Sequence, residues 1–260
     1  MSASDRPAAG SAGPSPRPRS ERLRSPFFWL LAVIVLPIMN LSVRWRIRDA
    51  HKLPKQGAFI LAPNHLTEID PVVMGIAMWK MGRVPRFLAK ASLFRVPVLG
   101  GILRASGQIP VERGAGRGAD PLAAAGHLLA KGHAVIVYPE GTLTREPDLW
   151  PMRGRAGAVR AALEHGIPII PVAHWGSQQL MARYGRRITL LRRKPVDILV
   201  GDPVDLGVEP GTRADRAAVD AGTDRVMHAI AGLLGELRGE TPPAELWDPA
   251  KHDQKEAGRP

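Results

Sequence analysis

The chain has 260 residues, 45% of them hydrophobic and 23% charged, with a formal net charge of +12. This is enough for one substantial core, or a core plus an anchor, and it excludes a wholly disordered chain. Cysteine is absent, which excludes disulfides, CxxC redox chemistry, zinc ribbons and a Cys nucleophile, and fits a reducing compartment.

Residues 1–24, rich in Pro, Gly, Ala and Ser with interspersed Arg, predict a flexible basic tail that buries too little to offset ordering. The uncharged run PFFWLLAVIVLPIMNLSV follows at residues 26–43, with Arg22 and Arg24 before it and Arg44, Arg46 and Arg48 after it. Its length is at the lower limit for a bilayer span of about 20 residues, and Pro37 would kink it. No A-x-A-like cleavage site follows, and Arg on both flanks gives the positive-inside rule no direction. Residues 25–48 therefore read as an apolar membrane-anchoring segment that dips into one leaflet with both basic ends at an anionic surface. A buried core helix is the competing reading.

From residue 57, short apolar runs alternate with helical stretches. AFILAP (58–63), GQIPV (107–111), AVIVYP (134–139), PIIPVA (168–173), RITLL (187–191) and VDILVG (196–201) read as strands. Residues 71–82, 121–132 and 154–166 read as helices, and another amphipathic helix falls within Arg213–Arg238. The alternation predicts a single α/β domain over residues 49–205, its mostly parallel or mixed central sheet flanked by helices. The apolar membrane-associated helix precedes it, a helical extension (206–240) follows, and a loose tail closes the chain (241–260).

Three segments could carry chemistry. APNHLTEIDP (62–71) follows a strand and precedes a helix, where α/β domains place their sites. His65 could accept a proton from a hydroxyl if Asp70 fixed its orientation through the other ring nitrogen. Asp70 before Pro71 is equally the pattern of a helix N-cap with Pro at N1. VIVYPEGTLTRE (135–146) ends a strand in Glu140-Gly141-Thr142, suited to bonding hydroxyls or holding a basic residue, or else an ordinary turn. GQIPVERG (107–114) brings Arg113 after a short strand, downstream of Arg86, Lys90, Arg95 and Arg104. Arg can grip phosphate with two parallel bonds, although a solvated surface Arg is the plainer reading of any single one.

Other patterns carry less. GAGRGA (114–119) matches a loose dinucleotide pattern, but Glu112 and Arg113 before it do not suit a buried first strand. No GxSxG elbow, Walker A loop or HExxH helix occurs. His65 and Glu68 lack a third metal ligand at plausible spacing, so no metal is expected. At 5% aromatic residues, with several in the apolar run, nucleic acid is not expected as a partner.

In this order the segments resemble the glycerolipid acyltransferase family, which includes bacterial 1-acylglycerol-3-phosphate acyltransferases. Asn64-His65-Leu66-Thr67-Glu68-Ile69-Asp70 is similar to its N-H-x-x-x-x-D block. Gly107-Gln108-Ile109-Pro110-Val111-Glu112-Arg113 is similar to G-x-(I/F)-x-V-x-R, and Tyr138-Pro139-Glu140-Gly141-Thr142 to F-P-E-G-T-R. Ile167-Pro168-Ile169-Ile170-Pro171-Val172 is similar to the apolar fourth block. Lys90, Leu93-Phe94 and Gly100 fit its basic segment, and Arg155-Ala156-Gly157 its downstream K-x-G. Leu143 stands where that family has Arg, and the nearest Arg is Arg145.

The resemblance implies an O-acyltransferase of phospholipid synthesis on the cytoplasmic face of the cell membrane, moving a fatty acyl group from acyl-CoA or acyl carrier protein to lysophosphatidic acid. It implies His65 as general base oriented by Asp70, and Arg113, helped by Lys90, holding the glycerol phosphate. Glu140, Gly141 and Thr142 would line the acceptor pocket. No cofactor beyond the acyl donor is expected, and membrane lipids are the expected partners. Another acceptor, such as glycerol 3-phosphate, another lysophospholipid or a glycolipid, stays open, as does a non-catalytic basic membrane-binding protein. Arg183 to Lys194 would form either a solvated or a membrane-facing surface.

Overall fold

A computed structural model describes residues 26–97, 99–105, 108–111, 123–209 and 215–254. The apolar run forms helix α1 (Pro26–Ser42), which leads directly into strand β1 (Val43–Arg48). Then come β2 (Phe59–Pro63), α2 (Asp70–Lys80), β3 (Leu88–Lys90), α3 (Leu99–Ala105) and β4 (Ile109–Val111). The remainder is α4 (Ala123–Ala130), β5 (Ala134–Ile136), α5 (Gly157–His165), β6 (Ile169–Trp175), α6 (Ser177–Leu180), β7 (Lys194–Val200) and α7 (Arg216–Arg238).

Five strands form one mixed sheet in the order β1-β7-β6-β2-β5, and β3 with β4 forms a small parallel pair beside it. In the large sheet only β6 and β7 run antiparallel. Central β2 is buried at every residue, as a strand covered on both faces must be. One face packs under α1 and α2, where Phe59, Leu61, Met74, Met78 and Ile170 are in contact. The opposite face carries α4, α5 and α7 through Ile60, Val135, Leu163, Val226 and Ile230. The α/β architecture with a mixed sheet flanked by helices is thus the one the alternation predicts.

Three sequence readings are corrected. Residues 43–48 were assigned to the anchor's basic flank, yet they are a strand whose Val43, Trp45 and Ile47 face the core, while Arg44, Arg46 and Arg48 are exposed. Residues 187–191 are not a strand: Thr189 N–H donates to Leu180 C=O and Leu191 N–H to the Ser42 hydroxyl, neither of them a ladder partner. Residues 241–254, expected to be loose, return to the domain. Trp247 bridges to Met152, its carbonyl accepts from Arg153 N–H at 2.8 Å, and its ring stacks on His252 with centroids 3.5 Å apart.

The described side chains of the apolar run fall on two sides of α1, one buried and one exposed. Val35, Leu36 and Met39 pack on the core, whereas Val33, Ile34, Ile38 and Leu41 stand exposed on the other side of the helix. Among the described residues no helix is long and apolar enough to cross a membrane.

Candidate active site

Strand β2 has β5 on one side and β6 on the other, both parallel to it, so the segments leaving these three strands emerge at the same edge of the sheet. Asn64 and His65 follow β2, Tyr138 and Glu140 follow β5, and His174 lies at the end of β6. This topology brings together residues that are 75 and 110 positions apart in sequence.

Asp70 opens α2, and the two amides that bond its carboxylate, Leu66 and Thr67, lie before the helix. The carboxylate thus turns back. Oδ2 accepts from Leu66 N–H at 2.5 Å and Thr67 N–H at 2.8 Å, and Oδ1 accepts from the Thr67 hydroxyl at 2.7 Å. His65 Nδ1 lies 3.0 Å from the same Oδ2. A carboxylate only accepts, so Nδ1 donates to it, and in the neutral ring the lone pair is on Nε2. Asp70 is fully buried while the His65 side chain is 15% exposed, which leaves Nε2 as the ring nitrogen available to a substrate. Burial by itself would raise Asp70, but the neighbouring His174 and His65 and the Thr67 amide hold it down to about 2. It is therefore an anion at neutral pH.

The His65 ring stacks on Tyr138, with centroids 4.0 Å apart and planes inclined by 23°. The Tyr138 hydroxyl is buried and has no hydrogen-bond partner among the described residues. Burial, followed by the charge on Asp70, pushes its pKa well above the ordinary tyrosine value.

Glu140 sits against the same turn, and Gly141 and Thr142 follow it in the chain. Glu140 is 1% exposed, and its two oxygens accept from His65 N–H at 3.0 Å and Met152 N–H at 3.2 Å. Thr144 N–H completes the junction by donating to His65 C=O at 2.8 Å. Glu140 thereby fixes the backbone that carries the imidazole. Burial raises its pKa to about 8 despite those two amide bonds. Gly141 has φ +72°, and a Cβ there would stand 2.7 Å from Arg155 Cδ, so both conformation and space favour glycine. Leu143 and Arg145 are buried.

His174 is a site residue that the sequence reading did not single out. Its Nε2 lies 3.0 Å from Asn64 C=O and its Nδ1 lies 3.4 Å from the Ser177 hydroxyl. A carbonyl only accepts, so Nε2 bears the hydrogen and Nδ1 accepts. Asn64 also spans the strands, donating to His174 C=O at 3.1 Å and accepting from His174 N–H at 2.9 Å. Burial lowers the His174 pKa, against the opposing pull of the Asp70 charge. The only hint in the sequence is a polar residue closing an apolar strand in VAHWGS.

Two predicted substrate ligands are not placed. Arg113 lies outside the described residues, as do Gly107 and the GAGRGA stretch, and Lys90 is described only as the last residue of β3.

Against known proteins, a family model described as Acyltransferase matches residues 44–175. A chloroplastic 1-acyl-sn-glycerol-3-phosphate acyltransferase of Brassica napus is 28% identical over 56% of this chain and 40% of its own length. The proteins of the same name from Borreliella burgdorferi and Bacillus subtilis are 25% and 26% identical, over 62% and 64% of this chain and 62% and 77% of their own lengths. The chain thus spans about two fifths of the Brassica napus relative and three fifths of the Borreliella burgdorferi one. Among solved structures, the 1-acyl-sn-glycerophosphate acyltransferase PlsC of Thermotoga maritima shares the fold. Its TM-score is 0.58 at 22% identity, over 84% of this chain and 77% of that one.

Proposed function

The chain belongs to the acyltransferase family, and from that membership we propose that it transfers a fatty acyl group to the free hydroxyl of lysophosphatidic acid at a membrane surface. The observation that carries this reading is the His65–Asp70 pair, in which a buried anion fixes Nδ1 and leaves Nε2 open. The names of the relatives favour this acceptor. Acyl-CoA or acyl carrier protein is the donor.

In the proposed reaction, His65 Nε2 takes the proton of the acceptor hydroxyl as its oxygen attacks the thioester carbonyl. The tetrahedral intermediate collapses, the C–S bond breaks and the thiolate leaves. The proton on Nε2 passes to that sulfur, so the ester and free thiol form and His65 returns to neutrality. Asp70 remains ionised throughout and stabilises the transient imidazolium. The chain's lack of cysteine agrees with direct transfer without a Cys acyl-enzyme. Arg113 and Lys90 are the proposed phosphate ligands, and Gly141 and Thr142 the residues beside the acceptor. Glu140 acts by holding the His65 backbone.

The enzyme works on the cytoplasmic face of the cell membrane, with the exposed side of α1 in the lipid. A lysophospholipid is then met where it resides, and basic residues attract its headgroup. The buried Leu143, in the place of the family's Arg, favours keeping other lyso-acceptors as a second reading.

The deciding experiment presents labelled acyl-CoA and a panel of lyso-acceptors to the parent protein and to His65→Ala, with products identified by mass spectrometry. Phosphatidic acid from the parent and none from the variant is the expected result. Undiminished turnover by a folded His65→Ala protein would overturn the mechanism, and acylation of a different acceptor alone would replace the substrate.

A further inference from the structure

Much of the exposed large apolar surface among the described residues falls in two segments. The first is the outer side of α1, with Val33 and Leu41 66% and 58% exposed. The second is the loop before β7, where Ile188, Leu190 and Leu191 are 50%, 38% and 68% exposed. These segments meet, because Leu191 N–H donates to the Ser42 hydroxyl at 3.0 Å and Ser42 is the last residue of α1. Leu41 and Leu191 therefore flank a single hydrogen bond.

The backbone of this loop is held in an unfavourable shape. Leu191 and Arg193 have φ of +63° and +41°, the left-handed region that costs residues bearing a Cβ. No glycine relieves it, and the strained leucine gains little burial within the protein. Strain of this kind persists where surrounding contacts impose it and commonly marks a functional surface. Those contacts are visible: Thr189 N–H donates to Leu180 C=O at 2.7 Å, and Lys194 Nζ donates to Gln179 C=O.

Charge identifies the occupant. Arg186 and Arg187 precede the apolar tip and Arg192 and Arg193 follow it, all four exposed, and residues 181–196 contain no Asp or Glu. A second copy of so basic a patch would be repelled, whereas an anionic lipid surface supplies both the headgroup charge and the apolar layer beneath. The loop is also tied to the candidate site. Arg183 Nη1 donates to Thr144 C=O at 3.1 Å and Glu146 C=O at 2.6 Å, and Thr144 N–H reaches the His65 carbonyl.

We propose that residues 186–193 form a second membrane-contact loop, which inserts Ile188, Leu190 and Leu191 into an anionic bilayer surface beside α1 while the flanking arginines bind lipid phosphates. The inference rests on the reading of this protein as an enzyme of membrane lipids. It adds a second point of attachment to α1, so that the orientation of the domain on the surface is set as well as its distance.

The absence of cysteine makes a site-specific test direct. Leu191→Cys, labelled with an environment-sensitive dye, is compared with Glu164→Cys on α5, which packs against the opposite face of the sheet from α1. Vesicles of phosphatidylcholine containing phosphatidylglycerol should shift the emission of the Leu191 label to the blue and expose it to a lipid-borne quencher, with no change at position 164. Leu190→Asp with Leu191→Asp should weaken vesicle binding about tenfold while turnover of a short-chain, water-soluble lysophosphatidate stays unchanged. If the protein sediments with vesicles but the two labels respond alike, the loop proposal is overturned and α1 remains the anchor. A blue shift that rises with protein concentration in the absence of lipid would also overturn it, in favour of a second copy. Failure of the parent to acylate any lyso-acceptor would overturn the enzymatic reading, and the vesicle labels would still decide the loop independently.

Discussion

Replacing Asp70 with Asn keeps the shape of the side chain and removes its charge. The wild-type carboxyl is fully buried and lies at about 2 against an ordinary 3.8. At about 1.4 kcal/mol per tenfold change in proton affinity, that difference is worth about 2 kcal/mol at neutral pH. A depressed carboxyl stabilises the folded state above the unfolded pKa, and the contribution is lost as pH falls through the folded one. It should therefore fall to about half its neutral-pH size at pH 3 and be mostly gone at pH 2. Asp70→Asn should cost about 2 kcal/mol at pH 7, and its deficit should shrink along the same curve. The deficit is read from urea titrations followed by fluorescence of the six tryptophans. Without an anion to fix Nδ1–H, kcat should fall about 10²- to 10⁴-fold. A deficit equal at pH 7 and pH 2 would refute the electrostatic account, and an unchanged kcat would refute the orienting role.

Glu140→Gln should show the opposite dependence on pH. Because burial raises Glu140 from 4.5 to about 8, the folded state holds a proton that the unfolded state releases between those values, and stability falls as pH rises through the window. Relative to the parent, the variant should gain stability from pH 5 to pH 9, and a constant difference in urea midpoints would contradict this. Tyr138→Phe removes a buried hydroxyl that has no partner among the described residues and keeps the ring stacked on His65. Its stability should be equal or higher by up to about 1 kcal/mol, with kcat preserved. A large loss of kcat without unfolding would show that the hydroxyl meets the reacting groups.

The sequence by itself determined the features that depend on neighbours along the chain. Strand runs such as AFILAP and VDILVG were legible because their apolar residues must be buried wherever they pair. Helix ends were legible because a cap is local: Gly166 closes α5 in the left-handed conformation at φ +60°, as its place in the sequence predicts. The four ordered blocks identified the family, and the N-H-x-x-x-x-D spacing brought His65 and Asp70 into question together. Only the tertiary structure decided between capping and orienting for Asp70, since both roles suit the same residues and the direction of the carboxylate separates them. Residues 43–48 alternate as a strand should, yet the adjacent anchor and the outward arginines masked it until β7 supplied a partner. The His174–Asn64 bonds and the Glu140 clamp lay equally out of reach. His174 meets Asn64, and Glu140 meets the His65 backbone, only because β2 takes its place between β5 and β6. That order is set by burial over the whole chain, which no local pattern encodes.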